Sequence, residues 1–165
     1  MRLVVTDANI IIDLAAGGLL EEVFRLVDTE FCVPDILYVE ELADHYGVLP
    51  ALGLRVITQP AEDVQYVEQL RTRFRGPSIN DLFALALARS LNCPLLSGDR
   101  SLRIAAEAER VEVRGTLWLV DTLLRSGRIG ADRATAAYEA MREDGSRLPW
   151  DEVDAQIKRW RREDL

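Results

Sequence analysis

One lysine, one histidine and two cysteines are all that this 165-residue chain offers of three residue types that carry much of protein chemistry. The thiols, Cys32 in EFCVP and Cys93 in LNCPLL, sit in or beside apolar strand-like runs, where cysteine acts as a small buried hydrophobe. A disulfide framework needs more of them. The lone His45 has no partner at ligand spacing, which argues against zinc, and it reads as a partly exposed helix residue. Lys158 lies near the C-terminus, and neither GxxxxGK[ST] nor GxGxxG occurs, so nucleotide hydrolysis on a P-loop is excluded. No apolar run approaches the roughly 20 residues of a membrane span. The apolar part of MRLVVTDAN is too short for a signal peptide. Basic charge is scarce too: 20 Lys plus Arg against 28 Asp plus Glu leave a formal net charge of -8, the wrong sign for coating DNA. These absences describe a soluble protein of a reducing, cytoplasmic compartment.

What is present is an alternation. RLVVT (2–6), FCV (31–33), LRVIT (54–58), PLLS (94–97) and VEVR (111–114) have strand length and apolar content. Between them lie helix-period segments: LLEEVFRLV (19–27), PDILYVEELADHY (34–46), AEDVQYVEQLRTRF (61–74), INDLFALALARSL (79–91) and a helix near 100–108. Strands alternating with helices pair in parallel, with helices on both faces. The fold expected is α/β, a three-layer α/β/α sandwich on a mostly parallel sheet. After Arg114 the strands stop and three helices follow, jointed at Gly127, Gly130, Gly145 and Pro149.

Ligands of an open parallel sheet bind at the carboxyl ends of its strands. Asp7 directly follows the first strand, and Asp99 in LLSGDRSLR follows the fourth. Asp81 in PSINDLFALALA opens the helix leading to that strand, and Glu41 lies about a turn and a half into the helix after the second. Helix capping explains Asp7 and Asp99 singly, and Ser78 with Asp81 resembles a capping box. Capping does not explain Glu41. It also does not require Asp7 and Asp99 to share one sheet edge. Like charges ~4 Å apart cost on the order of 4 kcal/mol per pair at an effective dielectric near 20. Gathered carboxylates therefore take up protons or hold a cation. An all-oxygen set suits Mg²⁺ or Mn²⁺, and such a centre serves phosphate chemistry.

In order, TDAN, PDILYVEEL, SINDLFALALA, LLSGDRSLR and GTLWLV resemble the PIN-domain ribonucleases, closest to the VapC-like toxin members and their small prokaryotic relatives. The resemblance covers about residues 2 to 130. It implies a catalytic domain over 1–130, with 131–165 a helical extension packed on it. It further implies an Mg²⁺- or Mn²⁺-dependent endoribonuclease whose metal-binding, catalytic carboxylates are Asp7, Glu41, Asp81 and Asp99, supported by Asn9 and Ser97. RNA is the implied substrate, homodimers are common in the family, and toxin members are restrained by a cognate antitoxin. Ser97 stands where the family often has Thr. Glu40 rivals Glu41, because Ile36, Val39, Leu42, Ala43 and Tyr46 form the apolar face of an α-helical wheel and Glu40 lies nearer its edge.

Arg100 and Arg103, just after Asp99, are the first candidates for substrate phosphates. Arg71, Arg73 and Arg75 form a second basic patch or a solvated helix end. KRWRRE (158–163) fits either base stacking on Trp160 or a helix whose Trp packs inward. Trp118 and Trp150 read as core. Two rivals to the nuclease remain. A receiver or dehalogenase-like phosphatase lacks its partner lysine here, and Asn9 stands where that phosphatase wants a second Asp. A non-catalytic binding module would bind RNA without metal.

Overall fold

In a computed structural model describing residues 2–165, RLVVT forms β1 (Arg2–Thr6) and the chain leaves it at Asp7. Two helices stand between β1 and the second strand: α1 (Ala8–Ala16), started by the Asp7 cap, and α2 (Leu20–Phe24), which is all of the expected 19–27 helix that forms. The run Ile10, Ile11, Ile12 has strand propensity. The Asp7 side chain nevertheless accepts from the Ile10 N–H, and Ile10, Ile11 and Leu14 share the buried face of the turn this starts.

Four further strands follow: β2 (Thr29–Pro34), β3 (Arg55–Ile57), β4 (Leu95–Leu96) and β5 (Val113–Arg114). All pair in parallel in the order β3-β2-β1-β4-β5. β1 and β2 end in runs of buried residues without alternation, as strands covered on both faces must. The two short strands suffice because the Ser97 and Leu95 N–H groups continue the ladder to Arg114 and Glu112.

The helices complete an α/β/α sandwich. The chain from 35 to 46 is one helical stretch, α3, interrupted by a π-turn at Tyr38–Leu42, and a short helix α4 (Leu49–Leu52) precedes β3. α5 (Ala61–Arg73), α6 (Ile79–Ser90) and α7 (Arg100–Ala108) form one layer, with the apolar α6 lying on β1 and β2. In the other layer, α1 and α2 pack with α8 (Thr116–Arg125) and α9 (Ala131–Glu143), and α10 (Trp150–Arg162) packs on α9. α1 and α9 approach so closely that a Cβ at Gly17 would lie 2.6 Å from Met141 Cε.

Of the three tryptophans, only Trp160 is wholly buried. It stacks on Tyr138 with ring centroids 6.3 Å apart, and its indole N–H donates to Asp121 Oδ1 at 2.7 Å. The KRWRRE segment therefore presents no aromatic platform. Trp118 and Trp150, expected in the core, are only partly buried and line surface grooves beneath the guanidinium groups of Arg114 and Arg142. Cys32 is buried and Cys93 partly so, each a free thiol within the packing. No helix among the described residues is long and apolar enough to cross a membrane.

Candidate active site

β1 and β4 are neighbours, with Val5 opposite Leu95 and Thr6 opposite Leu96. Chain order reverses between them, which is where an open parallel sheet leaves a crevice at its carboxyl edge. Asp7 and Asp99 both emerge there, as their positions after the first and fourth strands require.

Each acid is also a helix cap, so the structural explanation holds as far as it goes. Asp7 Oδ1 accepts from the Ile10 N–H at 3.0 Å, and Asp99 Oδ1 accepts from the Leu102 N–H at 2.9 Å. A cap uses one oxygen. Asp7 is 1% exposed, and its Oδ2 is buried without a hydrogen-bond partner. An orphaned carboxylate oxygen in the interior costs free energy that capping does not recover. Burial pushes its carboxyl up to about 7. The neighbouring Ser97 hydroxyl, which makes no well-aligned bond to Oδ2, and the Ile10 N–H pull it down, while Asp81 and Asp13 raise it further.

Asp81 is the common electrical neighbour. It lies in the first turn of α6, where the Ser78 hydroxyl accepts from its N–H at 3.1 Å. Its carboxyl is raised, first by burial and then by Asp99, against the lowering effect of Ser78. Asp81 in turn raises both Asp7 and Glu41. Asp99 goes the other way. Partial burial raises it, but the Ser101 hydroxyl, donating at 2.6 Å, and the N–H groups of Leu102 and Ser101 outweigh that and lower it.

The π-turn decides how Glu41 reaches this group. Leu37 and Leu42 are buried five residues apart, one turn of a π-helix, and the Ala43 N–H reaches back to the Tyr38 carbonyl. An α-helical wheel puts Val39 on the apolar face; in the structure Val39 is 66% exposed. The wider turn lets Glu40 and Glu41 face the same partner. Asn80 Nδ2 donates to Glu40 Oε2 at 2.8 Å and to Glu41 Oε2 at 3.1 Å. Glu41 is raised by burial first and then by Asp81 and Glu40, with Asn80 lowering it, which ties Glu41 to Asp81. Asn80 escaped the sequence reading. Its one signal is adjacency to Asp81 in the first turn of α6.

The supporting candidates differ. Ser97 is buried, and its hydroxyl accepts from the Asp99 N–H at 3.1 Å, so it shapes the loop carrying that acid. Asn9 is exposed at the mouth of a groove that also reaches Asp99, Arg100 and Arg103. Arg100 and Arg103 have no ion-pair partner among the described residues. Arg71 and Arg73 are paired with Glu68 and Glu109, at 3.2 and 2.7 Å. That favours their reading as a solvated helix end.

Among the described residues no three His, Cys, Asp or Glu side chains converge closely enough to enclose one metal ion. The donors still fit a hard cation. All are oxygens, one is buried and orphaned, and three are raised, by burial first and by neighbouring acids after it. Mg²⁺ keeps several waters and takes only one or two protein carboxylates directly, so it suits an open group of acids better than a closed cage. Asp7 and Asp81 would hold it, with Glu41 and Asp99 at the margin.

A family model described as DUF3368: PIN domain matches residues 3–162. The match extends past residue 130 to include α9 and α10. No curated protein matches the chain.

Proposed function

The chain belongs to the PIN-domain family, whose members are generally nucleases that use divalent metals, and from that premise we propose that it is an endoribonuclease dependent on Mg²⁺ or Mn²⁺. The observation that carries this reading is Asp7 Oδ2, buried at the sheet's switch point with no protein partner. A bound divalent ion would neutralise the acids, polarise a phosphate oxygen and lower the pKa of water. Asp7 and Asp81 would supply the charge that binds it, and Glu41 and Asp99 lie within electrostatic reach of Asp81. Ser97 holds the Asp99 loop in place. Arg100 and Arg103 hold phosphates flanking the scissile one. The motifs resemble those of VapC-like toxins, and on that resemblance the reading extends to a homodimer and a cognate antitoxin.

The test is cleavage of a mixed pool of structured RNAs by purified, antitoxin-free protein, with and without Mg²⁺ or Mn²⁺. Cutting that appears with metal and stops with a chelator is the expected result. Well-folded protein that binds metal or RNA yet cuts nothing would leave a binding module instead.

Asn80 is expected to act through the glutamates it holds. Asn80→Ala frees Glu40 and Glu41, and Mn²⁺ affinity should fall by about tenfold, as is usual when a residue orienting a ligand is lost. Titration calorimetry with Mn²⁺ reads this directly. An unchanged affinity would remove the Glu40–Glu41 pair from the metal reading.

A further inference from the structure

A large groove opens from the edge of the candidate active site and runs away from it. It encloses about 1310 Å³, begins at Asn9, Gly98 and Asp99, and runs between the start of α8 and the 144–149 loop that joins α9 to α10. This exceeds the roughly 300–1,000 Å³ of a small-molecule site and suits a polymer. Arg100, Arg103 and Arg147 line it, and none has an ion-pair partner among the described residues. Arginines left unpaired on a protein of net charge -8 are cations held available. Arg103 Nη2 lies 3.9 Å from where a Cβ would stand on Gly115, which places its guanidinium against the groove wall. Trp118 also lines the groove, with the Arg114 guanidinium 4.9 Å from its ring centroid.

We propose that this groove is a track for single-stranded RNA, carrying the strand from the candidate active site past Trp118 to Arg147 on the 144–149 loop. The proposal rests on the nuclease reading, since Asn9 and Asp99 belong to both places. A ring beside spaced cations fits a strand whose bases are free to stack. A duplex keeps its bases inside. Asp13, Asp144 and Glu152 line the groove as well. Asp13 is engaged by the Thr116 hydroxyl at 3.4 Å. The other two close α9 and open α10, so the strand is held at separate points rather than along a continuous basic stripe. The lining carries four carboxylates, Asp13, Asp99, Asp144 and Glu152, against three arginines, so charge alone does not choose the occupant; the Trp118 ring and the groove's continuity with Asn9 and Asp99 of the candidate site favour RNA over a basic protein segment.

The test uses full-length Asp7→Asn protein, which binds without cutting, and a short unstructured fluorescent RNA, alone or annealed to its complement. The single strand should bind more tightly than the duplex, with a log–log salt slope near about -2 for three phosphates on a single strand. Adding Trp118→Ala should weaken binding roughly fivefold or more, with most of it restored by Trp118→Phe. Adding Arg147→Glu, an exposed loop change that leaves the fold intact, should weaken binding and flatten the slope. Affinity unchanged by both substitutions, while wild-type protein cuts RNA with metal, would overturn the track and leave the nuclease standing. Equal binding of duplex would overturn its single-strand character. If wild-type protein neither cuts nor binds RNA, the nuclease reading fails first; saturable binding of an arginine-rich peptide instead would give the groove to a protein partner.

Discussion

Metal-free Asp7→Asn protein is expected to melt at a higher temperature than wild type near pH 8, while its RNA cleavage in the presence of metal falls more than about a hundredfold. Two consequences of one carboxylate are separated by this single substitution. Asn caps a helix as well as Asp does, so the bond from the Ile10 N–H survives and α1 still starts at Ala8. What disappears is a buried charge with an unpartnered oxygen. Loss of a residue that merely orients a metal ligand costs roughly 10- to 100-fold, so loss of the ligand itself should exceed that.

The pH dependence has a definite sign. The Asp7 carboxyl is raised from 3.8 to about 7 by burial above all. A carboxyl raised in the folded state supports stability fully below the unfolded value, and that support is lost as pH rises through the folded one. Metal-free wild type should therefore weaken between about pH 4 and pH 7, by at most roughly 4 kcal/mol at 1.36 kcal/mol per unit. Asp13, Asp81 and Glu41 are raised as well and act in the same direction; Asp99 is lowered and opposes them. A buried amide without partners costs about 1–3 kcal/mol, so the net gain of Asp7→Asn near pH 8 should be about 1–3 kcal/mol. Near pH 4, where the carboxyl is protonated, only the amide's cost remains, and the variant should be the less stable by about 1–3 kcal/mol. Thermal melts of both proteins across that range, in chelator, give the answer. A variant less stable than wild type at every pH would mean that Asp7 serves the fold and nothing else.

Much of this geometry was open to inspection in the sequence because strand ends and helix caps announce themselves. Asp7 and Asp99 follow apolar runs and precede helices, and parallel pairing of β1 with β4 brings them to one edge. Periodicity failed where the backbone departs from its usual repeat. Leu37 and Leu42 are buried at π spacing, which no 3.6-residue wheel reproduces, and so Val39 was assigned inward and Glu40 could not be separated from Glu41. The helix start at Asp7 is legible from its capping position; that this helix ends at Ala16 and a second one starts at Leu20 is not. Trp118 and Trp150 pack against the core as expected but stay partly exposed, each with a guanidinium over its ring, and that contact depends on Arg114 and Arg142 arriving through tertiary packing. Asn80 is legible only once the π-turn has brought both glutamates to it.

The C-terminal helix offers the largest expected loss of stability. Trp160→Ala should lower the single melting transition of the whole protein by about 3–5 kcal/mol, or roughly 10 °C for a chain of this length. Trp160 is fully buried, so truncation forfeits its transfer free energy and leaves a cavity beside Tyr138. The hydrogen bond to Asp121 adds little, because Asp121 is partly exposed and also paired with Arg125 at 2.8 Å. Trp160→Phe, which keeps most of the volume and loses that bond, should therefore cost far less. The loss should be felt across the molecule because α10 is tied inward at a second point. Gln156 accepts from the Tyr138 hydroxyl and donates to the Leu117 carbonyl at 3.0 Å, which joins α10 to α9 and to α8 beside the sheet. Calorimetry distinguishes the alternatives. One transition shifted as a whole makes residues 131–165 part of the same cooperative unit as the candidate site. An early small transition followed by an unshifted main one would make them an appendage, and the 144–149 loop could then not hold Arg147 in fixed register with Trp118.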